Sequence, residues 1–162
     1  ACNFTTNRMM EDYINKYYLP LAKRASKIVA KEFAMAKDIA EWKKKMRREW
    51  PMIEVLAASN VDNVSGALLL NNEYKAEMTL SVGEIDPQDL GIELVLAEPN
   101  KKGKLCIKEI FEYKVKECKD GVATYKCKIV PDKTGAYHTA VRMYAKNKQL
   151  PHRQDFELVK WL

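Results

Sequence analysis

The spacing of apolar residues along the chain changes near Trp50 and Pro51. Before this point apolar residues recur every three or four positions, which is the spacing of one face of an α-helix. After it, apolar and polar residues alternate, which is the spacing of a half-buried β-strand. The chain is therefore predicted to have an α+β fold, with an N-terminal helical segment over residues 1–51 and a β domain over residues 52–162.

The helical segment is predicted to contain two helices. The first has apolar residues from Met10 to Leu21, and Asn7 or Thr6 is its expected N-cap, because either side chain can accept a hydrogen bond from a free backbone N–H. Pro20 is expected to kink or end this helix because proline has no N–H to donate.

The second predicted helix has an apolar stripe from Ala25 to Met46 and ends before Pro51, because the residue before a proline disfavours the α region. Its last turns hold the basic run Lys43–Arg48. Cations stabilise the negative end of the helix dipole, so this run is interpreted as a solvated helix end. Five cations in six residues exceed what capping requires, and a site for an anionic ligand is the alternative.

After Pro51 about seven short strands are predicted, with no helix-length pattern between them. Asp120 and Gly121 predict a hairpin turn, because both residues tolerate positive φ. Many short antiparallel strands separated by turns are typical of an immunoglobulin-like β-sandwich, which is the fold we expect for residues 52–162. The predicted strands cover roughly residues 52–58, 74–82, 92–96, 105–118, 123–129, 137–143 and 156–161.

Composition excludes several classes of protein. The chain has 28 basic and 22 acidic residues, a net charge of +6 and a pI near 9.0. Much of the lysine lies at alternate strand positions, so we interpret the charge as a solvated face and expect no nucleic-acid partner. No apolar run approaches the ~18 residues of a membrane span, and no signal peptide is visible, so no membrane association is expected.

The cysteines predict reduced thiols. Cys2, Cys106, Cys118 and Cys127 form no C-x-x-C pair, and with two histidines they give no zinc pattern. A two-residue turn at Asp120-Gly121 would place position 118 opposite 123 and position 114 opposite 127. Cys118 and Cys127 would then be out of register for a disulfide, and we expect a cytoplasmic protein.

The polar residues give no catalytic constellation, so no catalytic, cofactor or metal residue is predicted. Glu11 and Asp12 point to different sides of a helix and are assigned to its dipole. His138 and His152 are expected on the surface without partners. Two further candidates, Ser65-Gly66 and Ser81, lack a G-x-S-x-G context.

The aromatic residues could form a platform for stacking sugars, although core packing is the favoured interpretation. Trp161 is expected to pin the C-terminus, and Trp50 the junction between helix and β domain. Tyr144, in phase with His138 and Arg142, is the best candidate for an exposed ring. The other aromatics considered are Trp42, Tyr113, Tyr125 and Tyr137.

Four segments carry a family resemblance. The opening residues TTNRMMEDYINKYYLP have Thr6, Arg8, Met9, Tyr13, Tyr17, Tyr18 and Pro20 at the positions of a T-x-R-M helix that closes on Y-Y-x-P. The others are VGEIDPQDLGIELV at Val82–Val95, GAYHTAVRM at Gly135–Met143 and LVKW at Leu158–Trp161. In order and spacing these resemble the C-terminal region of short-type bacterial and archaeal α-glucan phosphorylases, which are glycosyltransferases. One departure is the loop Tyr144–Lys148, where the family usually has a proline and a histidine.

The resemblance implies phosphorolysis of α-1,4-glucans to glucose 1-phosphate by a parent enzyme that uses pyridoxal phosphate. The family's cofactor lysine has no counterpart in this chain, so no cofactor is expected here. The chain is accordingly interpreted as a non-catalytic C-terminal fragment, an interpretation also drawn from its start at Ala1 without Met. Its expected partner is the upstream catalytic domain of the same polypeptide, with α-glucan binding and homo-oligomerisation as further possibilities. The alternatives are a carbohydrate-binding module and an independent interaction domain that binds polyanions through Lys43–Arg48.

Overall fold

The computed structural model describes residues 5–59, 71–131 and 137–162. The chain divides into two compact units, Ala1–Lys44 and Lys45–Leu162, called here the helical unit and the sheet unit. This division lies a few residues before the predicted boundary at 51/52, and that boundary stays a prediction. Within the described ranges, no helix is both long and apolar enough to cross a bilayer.

The first helix begins one residue earlier than predicted. Helix α1 spans Thr6–Tyr13, and Thr5 is its N-cap, with its Oγ1 accepting from the Arg8 N–H at 3.4 Å. A π-helical segment, Ile14–Tyr18, leads into helix α2, Leu19–Glu49. Pro20 therefore does not end the helix, because a π-helical turn and a proline can bend a helix while it continues.

The interruption in α2 lies further along the chain. Ala30 is extended, with φ −58° and ψ 147°, and the next three residues have φ between 51° and 64°. This left-handed backbone breaks the helical path at residues 30–33. The prediction of two helices that meet near Pro20 is thus not confirmed.

The described part of the sheet unit contains seven antiparallel strands, in agreement with the number that the sequence predicted. Their order in the sheet is β1-β2-β5-β4-β3-β6-β7. They are β1 Glu54–Ser59, β2 Tyr74–Ser81, β3 Leu90–Pro99, β4 Leu105–Lys119, β5 Val122–Ile129, β6 His138–Ala145 and β7 Val159–Trp161.

The expected two-sheet, immunoglobulin-like arrangement is not confirmed, because the strands form one continuous sheet. Strand β4 joins its two halves. Residues 105–113 of β4 pair with β3, and residues 114–119 pair with β5. Alternation along a strand shows which residues share a face but not which strands pair, so the sequence could not reveal this shared strand.

The sheet is curled, so that its two edges approach each other. Lys160 in edge strand β7 donates a hydrogen bond from Nζ to the carbonyl oxygen of Ile53 at 3.2 Å. Ile53 immediately precedes the other edge strand, β1. This side-chain contact links the two edges but does not pair their backbones, and every residue of β1 and β7 is exposed.

The core lies on one face of this sheet. Tyr125 is fully buried in it, and its hydroxyl donates to the Pro87 carbonyl oxygen at 3.1 Å. Trp50 is also buried, in agreement with the core packing that was the favoured interpretation of the aromatic residues. Paired strands contribute alternating apolar residues, including Ala76, Met78 and Leu80 of β2, Ile92 of β3, Ala123, Cys127 and Ile129 of β5, and Met143 of β6.

The hairpin predicted at Asp120-Gly121 is confirmed. Asp120 and Gly121 have φ of 50° and 75° and join β4 directly to β5. Cys118 faces Ala123 as predicted, so it is not opposite Cys127. A bulge between Val115 and Glu117 moves the partner of residue 114 from the predicted position 127 to 126. Cys106, Cys118 and Cys127 are free thiols, and Cys2 lies outside the described residues.

Candidate functional site

Glu93 organises a polar cluster on the sheet. Glu93 lies in β3 between apolar neighbours, on the face of the sheet opposite the core. Only 8% of its side chain is exposed. Oε2 of Glu93 accepts from Nε of Arg142 at 3.0 Å and also from Nη2 of the same residue. Oε1 accepts from Nη1 of Arg153 at 2.7 Å. One carboxylate therefore orients two guanidinium groups with charge-assisted hydrogen bonds.

Arg142 and Arg153 reach Glu93 from different elements. Arg142 is the direct neighbour of Glu93 in the β3–β6 pairing. Arg153 begins a short 3₁₀ turn whose cap is His152, since Nδ1 of His152 accepts from the Gln154 N–H at 3.1 Å. Asp155 completes this cap by accepting from the His152 N–H at 3.3 Å. The capped turn fixes the backbone position from which the Arg153 side chain extends towards Glu93.

Two aromatic rings flank the arginines. The Tyr144 ring lies against Gly91, its cross-strand partner, so closely that a methyl group at Gly91 would overlap it. The Arg153 guanidinium lies 5.3 Å from the centre of the Tyr144 ring. Tyr144 is thus held between Gly91 and Arg153 and is only partly exposed.

Trp161 is the more accessible ring. It pairs with Arg142 across β6 and β7, and the Arg142 guanidinium lies 5.7 Å from the ring centre. Even so, 57% of Trp161 is exposed. Burial of Trp161 in the core, the favoured interpretation of the sequence, is therefore wrong, because β7 is an edge strand and this residue lies on the face of Arg142.

These residues enclose a cleft of about 320 Å³, here called the Arg–Trp cleft. Burial, with Glu93 adding to it, raises the pKa of the Tyr144 phenol, while the hydrogen bond with Arg153 opposes this shift. The hydroxyl stays protonated at neutral pH and can donate a hydrogen bond. The cleft is lined by Arg142, Tyr144, Arg153, Gln154, Phe156, Glu157, Val159 and Trp161.

The arrangement is suited to binding and not to the known chemistry of pyridoxal phosphate. That cofactor needs a lysine for its Schiff base, and no lysine lines the Arg–Trp cleft. Across residues 5–59, 71–131 and 137–162, no group of three or more His, Cys, Asp or Glu is placed to hold a metal ion. The cleft offers aromatic faces, guanidinium N–H donors, and amide and carboxylate acceptors.

The sequence placed part of this site correctly. His138, Arg142 and Tyr144 do share one face of β6, and His138 is exposed. His152 is exposed too, but it caps the turn that positions Arg153. Sequence reasoning missed Glu93 and Arg153. The signal for Glu93 was a single charge within the apolar run Ile92–Leu96.

Other candidates from the sequence have structural contacts. Arg47 pairs with Glu157 at 3.0 Å, and Arg48 pairs with Glu49 at 2.6 Å, so these two members of the basic run are already neutralised by carboxylates. Asp12 pairs with Lys16 at 2.8 Å. The assignment of Glu11 and Asp12 to the helix dipole is wrong, because the first turn of α1 holds no acidic residue.

The remaining candidates are placed as follows. Tyr113 and Tyr125 are core residues, whereas Trp42 and Tyr137 are partly exposed. Ser81 ends β2, and Ser65-Gly66 lies outside the described residues.

Comparison with known proteins identifies the family to which the chain belongs. Residues 50–162 match the family model of the glycogen phosphorylase C-terminal domain. The chain belongs to this family. The family resemblance seen in the sequence is thereby confirmed.

Individual relatives agree with this assignment. Maltodextrin phosphorylase of Thermococcus litoralis is 22% identical over 165 residues, covering 99% of this chain and 19% of that protein. Glycogen phosphorylase of Mycobacterium tuberculosis is 26% identical over 92 residues, covering 56% of this chain and 10% of that protein. The chain thus spans a fifth or less of the length of these relatives. No solved structure matches it.

Proposed function

We propose that this chain is the non-catalytic C-terminal part of an α-glucan phosphorylase whose catalytic domain precedes it in the same polypeptide. The observation that carries the proposal is the match to the Thermococcus protein, which covers nearly all of this chain but 19% of that relative. Phosphorolysis of α-1,4-glucan and the pyridoxal phosphate that supports it are assigned to the preceding region. The parent enzyme is proposed to be cytoplasmic.

The helical unit is proposed to pack against that catalytic region. All described residues of α1 are at least partly exposed, including Met9, Met10 and Tyr13. Tyr17 and Leu21 continue this exposed apolar surface, with 56% and 62% exposure. Such a surface favours contact with another protein surface. A second copy of the chain is the other candidate partner.

The sheet unit is proposed to be a docking appendage. Its support is an apolar patch on the face of β3 and β4 that carries Glu93. Ile107 and Ile110 are half exposed there, and they pair with Ala97 and Val95 of β3. Leu105 extends the patch at the start of β4. Association with the preceding domain would remove this area from water.

The test is the mass of the native polypeptide in source cells, detected with an antibody against this chain. A band several times larger than 18.7 kDa is expected. That species should release glucose 1-phosphate from maltodextrin and phosphate and should contain pyridoxal phosphate. A native band near 18.7 kDa would overturn the proposal.

The docking role has its own test. Deleting residues 52–162 from the native polypeptide should lower its melting temperature or change its assembly. Substituting Ile107→Ser and Ile110→Ser should reproduce part of this effect, with Leu56→Ser on edge strand β1 as the control for loss of an exposed apolar residue. Unchanged melting temperature and assembly after the deletion would refute a docking role.

A further inference from the structure

We propose that the Arg–Trp cleft is a secondary binding site for an α-1,4-glucan chain, separate from the site of phosphorolysis. The choice of glucan rests on the proposed function, whereas the polyhydroxylated, uncharged nature of the ligand rests on the cleft itself. The site would hold the polymer while the catalytic domain acts elsewhere on it.

The arginines of the cleft already have a carboxylate partner. Arg142 and Arg153 both contact Glu93. Glu157 on the cleft wall pairs with Arg47, which lies outside the cleft lining. An anionic ligand would have to compete with Glu93 for both guanidinium groups, whereas a sugar can use their remaining N–H groups without displacing it.

Trp161 provides the stacking surface. A pyranose ring has a flat face of C–H groups, and the exposed indole offers a matching apolar plane. The Arg142 guanidinium lies over one face of this ring, so the surface left for stacking is the exposed part of the indole. Val159, two residues earlier on β7, points to the same face and widens the apolar surface.

The polar groups of the cleft are held in place before a ligand arrives. Two nitrogens of Arg142 and one of Arg153 are fixed on Glu93, so the remaining guanidinium N–H groups have defined directions. Ordered donors lose little side-chain entropy when they bind sugar hydroxyls. Gln154 adds an amide that can both donate and accept.

The volume limits the length of glucan in contact. A cleft of about 320 Å³ lies at the small end of ligand pockets, so it accommodates about one or two glucose units of a chain that continues into solvent. Affinity for a single site of this size is expected to be weak, and an attached polymer would compensate by offering many equivalent segments.

The experiment is a titration of the 162-residue chain with maltoheptaose, followed by calorimetry. Saturable binding is expected. Trp161→Ala should weaken it about tenfold, equivalent to about 1.4 kcal/mol, and Trp161→Phe should keep it within about threefold because a ring remains. Gln154→Ala should weaken it about threefold by removing one hydrogen-bonding group. Leu56→Ala, at an exposed apolar position on β1, is the matched control and should bind like the unmodified chain.

Three results would overturn the inference. They are the absence of saturable binding, unchanged affinity in Trp161→Ala, and binding of inorganic phosphate that Trp161→Ala abolishes, which would make the cleft an anion site. These results leave the proposed function standing if the native polypeptide still phosphorolyses maltodextrin. Conversely, maltoheptaose binding by a protein with a native mass near 18.7 kDa would refute the proposed function alone.

Discussion

At the scale of single residues, Glu93 joins three segments of the sheet unit. It lies in β3, and its two oxygens bind Arg142 of β6 and Arg153 of the capped turn. Directly across the β3–β4 pairing lies Glu112, an exposed carboxylate bound to Lys146. These neighbouring glutamates differ in burial and in their cationic partners, so they allow a buried carboxylate cluster to be compared with an exposed ion pair.

Glu93→Gln is predicted to lower the free energy of unfolding by about 2–4 kcal/mol, because it leaves a largely buried arginine without its charge partner. Glu112→Gln should change it by less than about 1 kcal/mol, since exposed pairs contribute little. Urea denaturation of both variants measures the difference. Equal effects would show that the Glu93 cluster contributes no more than a surface pair.

Gly91 is predicted to be required by the Tyr144 ring that lies on it. Gly91→Ala should destabilise the chain by about 1–3 kcal/mol, because the added methyl group displaces the ring. In a Tyr144→Ala background the same change should cost much less. A double-mutant cycle by urea denaturation gives the coupling, and additive effects would contradict this account.

At the scale of elements, the strands were predictable because alternation is a local property of the sequence. Strand β2 was predicted as residues 74–82 and observed as Tyr74–Ser81, and the β4–β5 hairpin followed from Asp120-Gly121. The sharing of β4 between both halves of the sheet was not predictable. It depends on a change of partner within β4, from β3 up to residue 113 to β5 from residue 114, and the alternation of apolar residues does not mark that change.

The break in α2 was hidden for a different reason. Residues 30–33 read Ala-Lys-Glu-Phe, of which the first three favour a helix, so no local signal marks the left-handed backbone found there. For the candidate site, phase along β6 placed Arg142 and Tyr144 together. Arg153 could not be placed, because its contact with Glu93 joins residues 60 positions apart.

The β4–β5 turn is predicted to depend on the glycine at position 121. Gly121→Ala should lower the free energy of unfolding by about 2 kcal/mol, from positive φ and from crowding against the Gly83 carbonyl oxygen at 3.2 Å. Gly103 also has φ of 75° but open space around it. Gly103→Ala is therefore the control, and it should lower the free energy of unfolding by about 1 kcal/mol. Thermal unfolding compares the two, and equal losses would eliminate the crowding contribution.

At the scale of the whole molecule, a thiol and two phenol groups buried in the core predict lower stability at alkaline pH. Burial raises the pKa of Cys127 to about 11 and, with a smaller contribution from Cys127, that of Tyr113 to about 12. Burial also raises the pKa of Tyr125. These groups ionise at lower pH in the unfolded chain, so the unfolded state binds fewer protons at high pH and is favoured there.

The free energy of unfolding should therefore be constant near neutrality and fall as pH rises above about 9. Cys127→Ala should reduce the slope between roughly pH 9 and 11, because one of the linked groups is gone. Urea denaturation across this range provides the measurement. A slope identical to that of the unmodified chain would exclude Cys127 as a contributor.

The hydrogen bond between Lys160 and Ile53 makes the beginning and the end of the sheet neighbours in space. A domain with adjacent ends can be circularly permuted, because a short linker closes the old ends without crossing the fold. New termini in the turn between β3 and β4, at residues 101–103, would cut no strand.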